Sequence, residues 1–153
     1  MDIKIFAEDF ENGSQIPVEY TCDGENISPA LYWSGIPERT KSIVLIMDDP
    51  DAPMKTFVHM VLFNIPANLN RLPKGIPQNE KFNKEIQFGL NDFGKANYGG
   101  PCPPSGTHRY IFRIYAIDKI LDIDPGTKRD KVEKFMIGHI LGMGELMGLY
   151  KRQ

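Results

Sequence analysis

The chain has few of the residues that build covalent or metal frameworks. Its 153 residues include two cysteines, three histidines and one tryptophan. Two cysteines are too few for a disulfide scaffold, and Cys22 and Cys102 do not have the close spacing of a metal-ligand pair. We therefore expect free thiols. The alternative is a single bridge between two loops, since intracellular proteins of some hyperthermophiles are rich in disulfides.

An excess of charge of one sign and long apolar runs are also lacking. The formal net charge is -2 at pH 7, so the chain has no general electrostatic attraction to nucleic acid or to an anionic membrane. No apolar run approaches the roughly 18 residues of a membrane span, and the first residues show no basic segment followed by an apolar one. These features predict a cytoplasmic protein without a membrane span or a nucleic-acid partner.

What is present indicates one globular domain covering residues 1–153. Hydrophobic residues make up 41% and charged residues 25% of the chain, which is ordinary for a globular protein. A chain of this length can bury most of the surface that its unfolded form exposes. No internal repeat, low-complexity tract or linker divides it.

Short apolar segments rich in β-branched and aromatic residues predict a mostly β fold. Residues 42–47 and 57–65 are the most apolar, are bounded by prolines and are too short for confident helices, so they predict central strands. Residues 64–79 contain three prolines and predict a long surface connection. Shorter strands are predicted at residues 3–7, 16–20, 31–33, 86–88 and 110–118.

One helix is predicted near the C-terminal end of the sequence. Apolar residues from position 132 to 140 follow a helical spacing after the turn at Asp124-Pro125-Gly126. Beyond them Gly142, Gly144 and Gly148 would each cost a helix about 1 kcal/mol. We therefore expect the helix to end near His139 and a terminal strand to follow. Sheets packed face to face, with this one helix, are the expected architecture.

Two loops rich in proline and glycine each precede a strand that carries a histidine. The first is Asp48-Asp49-Pro50-Asp51-Ala52-Pro53, which leaves the strand at 42–47 and leads to His59. The second is Gly99-Gly100-Pro101-Cys102-Pro103-Pro104-Ser105-Gly106-Thr107, which leads to His108. Proline has no donor for a sheet ladder, so both segments must turn. Two such loops predict one shared pocket.

Asp49, His59, His108 and Tyr110 are the chemically interesting side chains of this pocket. Imidazoles, a tyrosine hydroxyl and backbone N–H groups can hold a phosphate or carboxylate through short hydrogen bonds. A carboxylate at Asp49 opposes an anion unless it orients and charges a neighbouring imidazole. Taken singly, a histidine at position 59 is more often a satisfied core histidine, and an aspartate at position 49 is more often a turn residue that accepts hydrogen bonds from nearby backbone.

Two enzymatic alternatives follow from the same residues. His59, His108 and Asp49 could form a two-histidine, one-carboxylate metal site, although no close metal-ligand motif supports it. Cys102 could act as a nucleophile with His108 as its base. Cys102 lies between prolines, however, and no helix N-terminus there would lower its pKa.

The sequence resembles the phosphatidylethanolamine-binding protein family, also called the Raf kinase inhibitor protein family, in its compact bacterial and archaeal form. The motifs that carry the resemblance are Thr21-Cys22-Asp23-Gly24 with Ser28-Pro29 and Trp33, Asp49-Pro50-Asp51-Ala52-Pro53, Val58-His59 before Phe63-Asn64-Ile65-Pro66, Tyr98-Gly99-Gly100-Pro101-Cys102-Pro103-Pro104, His108-Arg109-Tyr110, Gly138-His139-Ile140-Leu141 and Gly148-Leu149-Tyr150.

The resemblance implies a large antiparallel sheet packed on a smaller one, with a small surface pocket for phosphate, acetate, cacodylate or a phospholipid head group. Carried over by motif, Asp49, His59, His108 and Tyr110 line that pocket. Pro104 forms part of its wall, and the backbone N–H that other members donate from a glycine comes here from Cys102.

These inferences predict a non-enzymatic protein that binds small anions or phosphoryl groups, with no cofactor and no metal. The alternative is a protein inhibitor of a protease or kinase that uses the same loops against its protein partner. A homodimer is a further expectation.

Overall fold

The computed structural model describes residues 2–77 and 86–152, which form two antiparallel sheets and one α-helix. The strands are β1 (Lys4–Ala7), β2 (Leu31–Ser34), β3 (Ser42–Asp49), β4 (Phe57–Pro66), β5 (Arg71–Leu72), β6 (Gln87–Phe88), β7 (His108–Ile117) and β8 (Ile140–Tyr150). Helix α1 covers Arg129–Met136. The mostly β prediction, with one helix near the C-terminal end, is confirmed.

The large sheet has five strands in the order β6-β4-β3-β7-β8. Every residue of β3 is buried, as expected for a strand with neighbours on both sides and packing on both faces. β3 pairs with β4 up to Asp49 opposite Phe57, and with β7 up to Asp48 opposite Ile111. The end of β3 and the beginnings of β4 and β7 therefore lie side by side at the same end of the sheet.

The small sheet has three strands in the order β1-β2-β5 and shares a core with the large sheet. Ile5 and Trp33 from the small sheet pack in the same hydrophobic cluster as Leu45, Leu62 and Ile114 from the large sheet. The Trp33 indole N–H donates to the backbone oxygen of residue 69 at 3.0 Å, so the buried ring is also satisfied.

Helix α1 covers the opposite face of the large sheet. Val132 and Met136 are buried there, in a second cluster with Val44, Ile46 and Val61. The helix ends at Met136, slightly before the predicted end, because Ile137 has left the helical region and Gly138 has a φ of +82°. The predicted terminal strand is confirmed as β8.

Two local predictions need correction. Residues 16–20 do not form a strand: Val18–Tyr20 is a 3-10 turn that follows Pro17. The predicted connection over residues 64–79 is shorter at its start, because β4 continues to Pro66, and it contains β5, which pairs with β2. Residues 78 and 79 of that connection lie outside the described residues.

The expectation of free thiols is wrong. Cys22 and Cys102 form a disulfide, with their Cα atoms 5.4 Å apart and 80 residues apart in sequence. The fold brings the turn after the 3-10 segment against the loop that precedes β7, and Cys22 N–H donates to the Pro101 carbonyl at 3.1 Å. The alternative of a bridge between two loops is therefore confirmed.

The outer edge of β8 is covered by segments from the beginning of the chain. Ile3 N–H donates to the Met143 carbonyl at 2.8 Å, and Ile16 N–H donates to the Leu149 carbonyl at 2.7 Å. A Cβ at Gly144 would lie 2.0 Å from the Ile3 carbonyl oxygen, so only glycine permits this approach. Within residues 2–77 and 86–152, no helix has the length and apolar character needed to span a membrane.

Candidate functional site

A cavity of about 210 Å³ opens at the end of the large sheet where β3 ends and β4 and β7 begin. Its size suits a small ligand, since pockets for drug-sized molecules are larger, at about 300 to 1,000 Å³. The structure brings all the predicted site residues together around this cavity, which is lined by Asp49, Ala52, Pro53, Phe57, His59, Phe93, Cys102, Pro103, Pro104, His108 and Tyr110.

Asp49 and His108 form a buried pair. His108 Nδ1 lies 2.7 Å from Asp49 Oδ2, and the two side chains are 9% and 5% exposed. A carboxylate can only accept, so Nδ1 carries the proton. The Asp49 Oδ1 atom accepts from the backbone N–H of Asp51 at 2.8 Å, so the predicted turn role of Asp49 is also present. His108 Nε2 makes no hydrogen bond within the described parts of the chain.

A break in the β3–β4 register places His59. Met47 pairs with Met60 but Asp48 pairs with Val58, which leaves His59 as the extra residue of a β-bulge. Bulges turn a side chain away from the regular alternation and are common beside functional sites. The freed backbone is satisfied elsewhere, because the His59 carbonyl accepts from Gly99 N–H at 3.1 Å.

The His59 imidazole is held as a neutral ring. Its Nδ1 lies 2.6 Å from the Gly99 carbonyl oxygen, which can only accept, so Nδ1 donates. Burial lowers the pKa of His59 below its ordinary value, although the Gly99 hydrogen bond and the nearby Asp49 charge oppose this effect. Nε2 then carries a lone pair. His59 thus combines the two roles considered from the sequence, since it is satisfied on one side and lines the cavity.

Tyr110 supplies an unpaired polar atom. The side chain is fully buried, and its hydroxyl makes no hydrogen bond of ordinary geometry within the described residues, although the Asp49 carboxylate and the Cys102 backbone lie near enough to shift its pKa. Burial raises the pKa of Tyr110, and the Asp49 carboxylate raises it further, so the hydroxyl stays protonated. A buried polar group without a partner costs about 1 to 3 kcal/mol. A ligand oxygen in the cavity would remove that cost.

Sequence reasoning missed the aromatic side of the cavity. The Phe57 and Phe93 rings are 4.8 Å apart and stand edge-on to each other, and each lies close to the His59 ring, at 5.1 and 5.4 Å. A Cβ at Gly99 would lie 2.3 Å from the Phe93 ring, so any larger residue there would displace that ring. The sequence did contain one indication of this aromatic wall. Phe93 lies in a turn just before Gly94, which has a φ of +79°.

Among the residues that the structure describes, no lysine or arginine lines the cavity. The nearest motif arginine, Arg109, is engaged by Asp51 through Nε at 2.9 Å and an Nη atom at 2.8 Å. This fork lowers the pKa of Asp51 to about 2. The pair fixes the turn after β3 to the beginning of β7, but its charges cancel. An anion in the cavity therefore depends on the histidines, the tyrosine and backbone N–H groups.

A larger cavity, of about 630 Å³, lies elsewhere on the large sheet. At its base the fully buried Asp48 carboxylate is paired with Arg113 at 3.2 Å and Arg129 at 2.9 Å. Each arginine also bonds a glutamate, Glu145 or Glu133. Each of these charges is paired with at least one charge of opposite sign, which favours a structural role, so the smaller cavity is the candidate site.

The enzymatic alternatives gain no support from the arrangement. Within residues 2–77 and 86–152, no group of three or more His, Cys, Asp or Glu side chains is placed to hold a metal ion. Cys102 is bonded to Cys22, so in this state it offers no thiolate.

Comparison with known proteins gives the class to which this fold and cavity belong. The model of the family described as phosphatidylethanolamine-binding protein matches residues 6–151. The chain belongs to that family, and the resemblance inferred from its motifs is confirmed.

Relatives match over nearly the whole length. A protein of Methanothermobacter thermautotrophicus, named UPF0098 protein, is 49% identical and is covered over 99% of both chains. The crystal structure of a phosphatidylethanolamine-binding protein homolog from Chlamydia trachomatis is 34% identical, with a TM-score of 0.91 and 99% of each chain covered. The YBCL protein of E. coli, described as a member of the mammalian PEBP family, is 30% identical with a TM-score of 0.91 over 100% of both chains.

Proposed function

We propose that this protein binds small anions, in particular phosphoryl groups, in the cavity between β3, β4 and β7, and that it does so without catalysing a reaction. The observation that carries the proposal is the buried Tyr110 hydroxyl, which has no partner within the described residues and lies in a cavity shared with two histidines. Buried polar groups are normally satisfied, so an unpaired donor at a cavity points to a ligand acceptor.

The histidines would make anion binding depend on protons. Each imidazole uses Nδ1 internally, His108 on Asp49 and His59 on the Gly99 carbonyl. A neutral ring then presents only a lone pair at Nε2, which accepts from a protonated phosphate but repels a bare oxygen. When His108 takes up a proton, its Nε2–H donates to the anion, and Asp49 balances its charge on the other side.

The lining supports binding rather than chemistry. None of the described cavity residues is a serine, threonine or lysine, and the cysteine there is in the disulfide form. The cytoplasmic location predicted from composition remains part of this proposal. The predicted use of the same loops against a protease or kinase, and the predicted homodimer, remain predictions.

Titration calorimetry with inorganic phosphate tests the proposal. His108→Ala removes a charge-assisted hydrogen bond and should weaken binding by roughly 1.5 to 3 kcal/mol. The matched control is His139→Ala, because His139 Nδ1 also lies 2.7 Å from a carboxylate, that of Asp118, but outside the cavity. The control should bind as the unmodified protein does. Equal affinity of the His108 variant would remove His108 from the site, and no phosphate binding by the unmodified protein would reject the proposed function.

A further inference from the structure

The Cys22–Cys102 disulfide lies at the candidate site and not in the core. Cys102 lines the cavity and is exposed to solvent, and Cys22 is partly exposed. The bond can therefore be reached by a reductant from outside the folded protein. Exposed disulfides include the labile and regulatory ones, whereas structural disulfides are more resistant to reduction.

The disulfide is the last connection that holds the cavity wall before β7 begins. On its N-terminal side the loop is well bonded: Gly99 N–H donates to the His59 carbonyl at 3.1 Å, and Gly100 N–H donates to Asn26 Oδ1 at 2.8 Å. On the other side, residues 103–106 make no hydrogen bond within the part of the chain that the structure describes. Two of those residues are prolines, which have no N–H to donate.

The polar groups of the site do not depend on this bond. His59 lies in β4, and His108 and Tyr110 lie in β7, where sheet pairing holds them. The His108–Asp49 and His59–Gly99 hydrogen bonds also involve neither cysteine. Breaking the disulfide would therefore loosen the wall formed by Cys102, Pro103 and Pro104, together with the Cys102 backbone N–H, and leave the polar side chains of the site in place.

We propose that Cys22 and Cys102 form a reversible thiol–disulfide modification site that sets the affinity of the neighbouring cavity for its anion. The inference rests on the proposed anion-binding function. In the disulfide form the wall is ordered before the ligand arrives. In the dithiol form the ligand must order it, and that entropic cost is subtracted from the binding free energy.

The partner chemistry is that of a dithiol reductant. One thiolate of the reductant attacks Sγ of Cys102, the more exposed residue of the pair, and the Cys22 sulfur leaves as a thiolate that takes up a proton. The second thiol of the reductant then attacks the mixed disulfide and releases the Cys102 thiolate, which is also protonated. The reductant becomes a disulfide, and two electrons and two protons are transferred to the protein.

The experiment measures inorganic phosphate affinity by calorimetry on the oxidised protein and on protein reduced with dithiothreitol under native conditions. We expect reduction to weaken binding about three- to tenfold. Cys22→Ser removes the bond but keeps the cavity residue Cys102, so it should match the reduced protein and should not respond to dithiothreitol. Circular dichroism of both forms establishes that the fold is retained. If Cys22→Ser does not fold, the unmodified protein reduced with dithiothreitol still tests the proposal.

The outcomes separate the two proposals. If oxidised protein binds no phosphate, the proposed function fails and this inference fails with it. If oxidised and reduced proteins bind phosphate equally while reduction lowers the melting temperature, the disulfide is a structural brace and the inference is overturned. Native protein whose Cys22–Cys102 disulfide stays unreduced in excess dithiothreitol would overturn it as well.

Discussion

His108 Nδ1 lies 2.7 Å from Asp49 Oδ2 at the floor of a cavity to which we assign an anion. A carboxylate in such a place needs a physical reason, since its charge opposes the ligand. The geometry supplies one. Asp49 fixes which nitrogen of His108 faces the cavity and balances the charge that the ring acquires when it donates to an anion.

Replacing Asp49 by asparagine therefore separates two explanations. Asp49→Asn keeps the shape and removes the charge, and we expect phosphate affinity at neutral pH to fall at least tenfold, because a hydrogen bond to a charged group is worth roughly 1.5 to 3 kcal/mol. Calorimetry on both proteins measures it. Asp118→Asn, at the matching His139 pair, is the control and should leave affinity unchanged. Tighter binding by Asp49→Asn would show that the carboxylate simply repels the ligand.

The Tyr110 hydroxyl should lower the free energy of unfolding and raise the affinity for phosphate. Tyr110→Phe removes a buried donor that has no partner among the described residues, so the free energy of unfolding should stay equal or rise, while phosphate affinity falls. Urea unfolding and calorimetry measure the two effects.

Tyr98→Phe is the matched control for Tyr110→Phe. The Tyr98 hydroxyl is also buried, but it donates to the Tyr20 carbonyl at 2.7 Å and does not line the cavity. Its loss should lower the free energy of unfolding by about 1 kcal/mol and leave binding unchanged. A Tyr110→Phe protein that loses stability and keeps its affinity would contradict the assignment.

His59 should make the fold sensitive to acid. Burial lowers its pKa in the folded protein, so the unfolded chain takes up this proton first as pH falls. The free energy of unfolding is then highest above the ordinary histidine pKa of about 6.5 and decreases below it, by up to about 1.4 kcal/mol per pH unit. Urea unfolding of the unmodified protein and of His59→Gln between about pH 7 and pH 5 tests this. Parallel curves for the two proteins would exclude His59 as the source.

Strand positions and the site could be predicted because local chemistry determines them. Proline and glycine mark where β3 ends and where β7 begins, and apolar β-branched runs mark the strands between such loops. Those same loops placed Asp49, His59 and His108 at a common edge, where the structure finds them. The glycines after residue 140 likewise favoured a strand over a continued helix, and β8 is that strand.

What could not be predicted depends on contacts between distant segments. The disulfide joins cysteines that are 80 residues apart in sequence, and no rule based on spacing predicts that two such residues lie close together in the fold. Phe93 reaches His59 only because Gly99 leaves room for its ring. The 3-10 turn at Val18–Tyr20 lies where a strand was expected, because Gln15 pairs with Leu149 of β8 in an isolated bridge only and Pro17 follows two residues later.

The pairing of the first residues with β8 has a consequence for synthesis of the protein. Ile3 and Ile16 bond to Met143 and Leu149, so within the described residues the N-terminal segment has no hydrogen-bond partner on the large sheet until β8 has left the ribosome. Contacts of such long sequence separation form slowly, because the chain between them must close as a loop. Until then apolar side chains of the small sheet and the uncovered edge of β7 are exposed together, and this is the interval in which a nascent chain would depend on a chaperone.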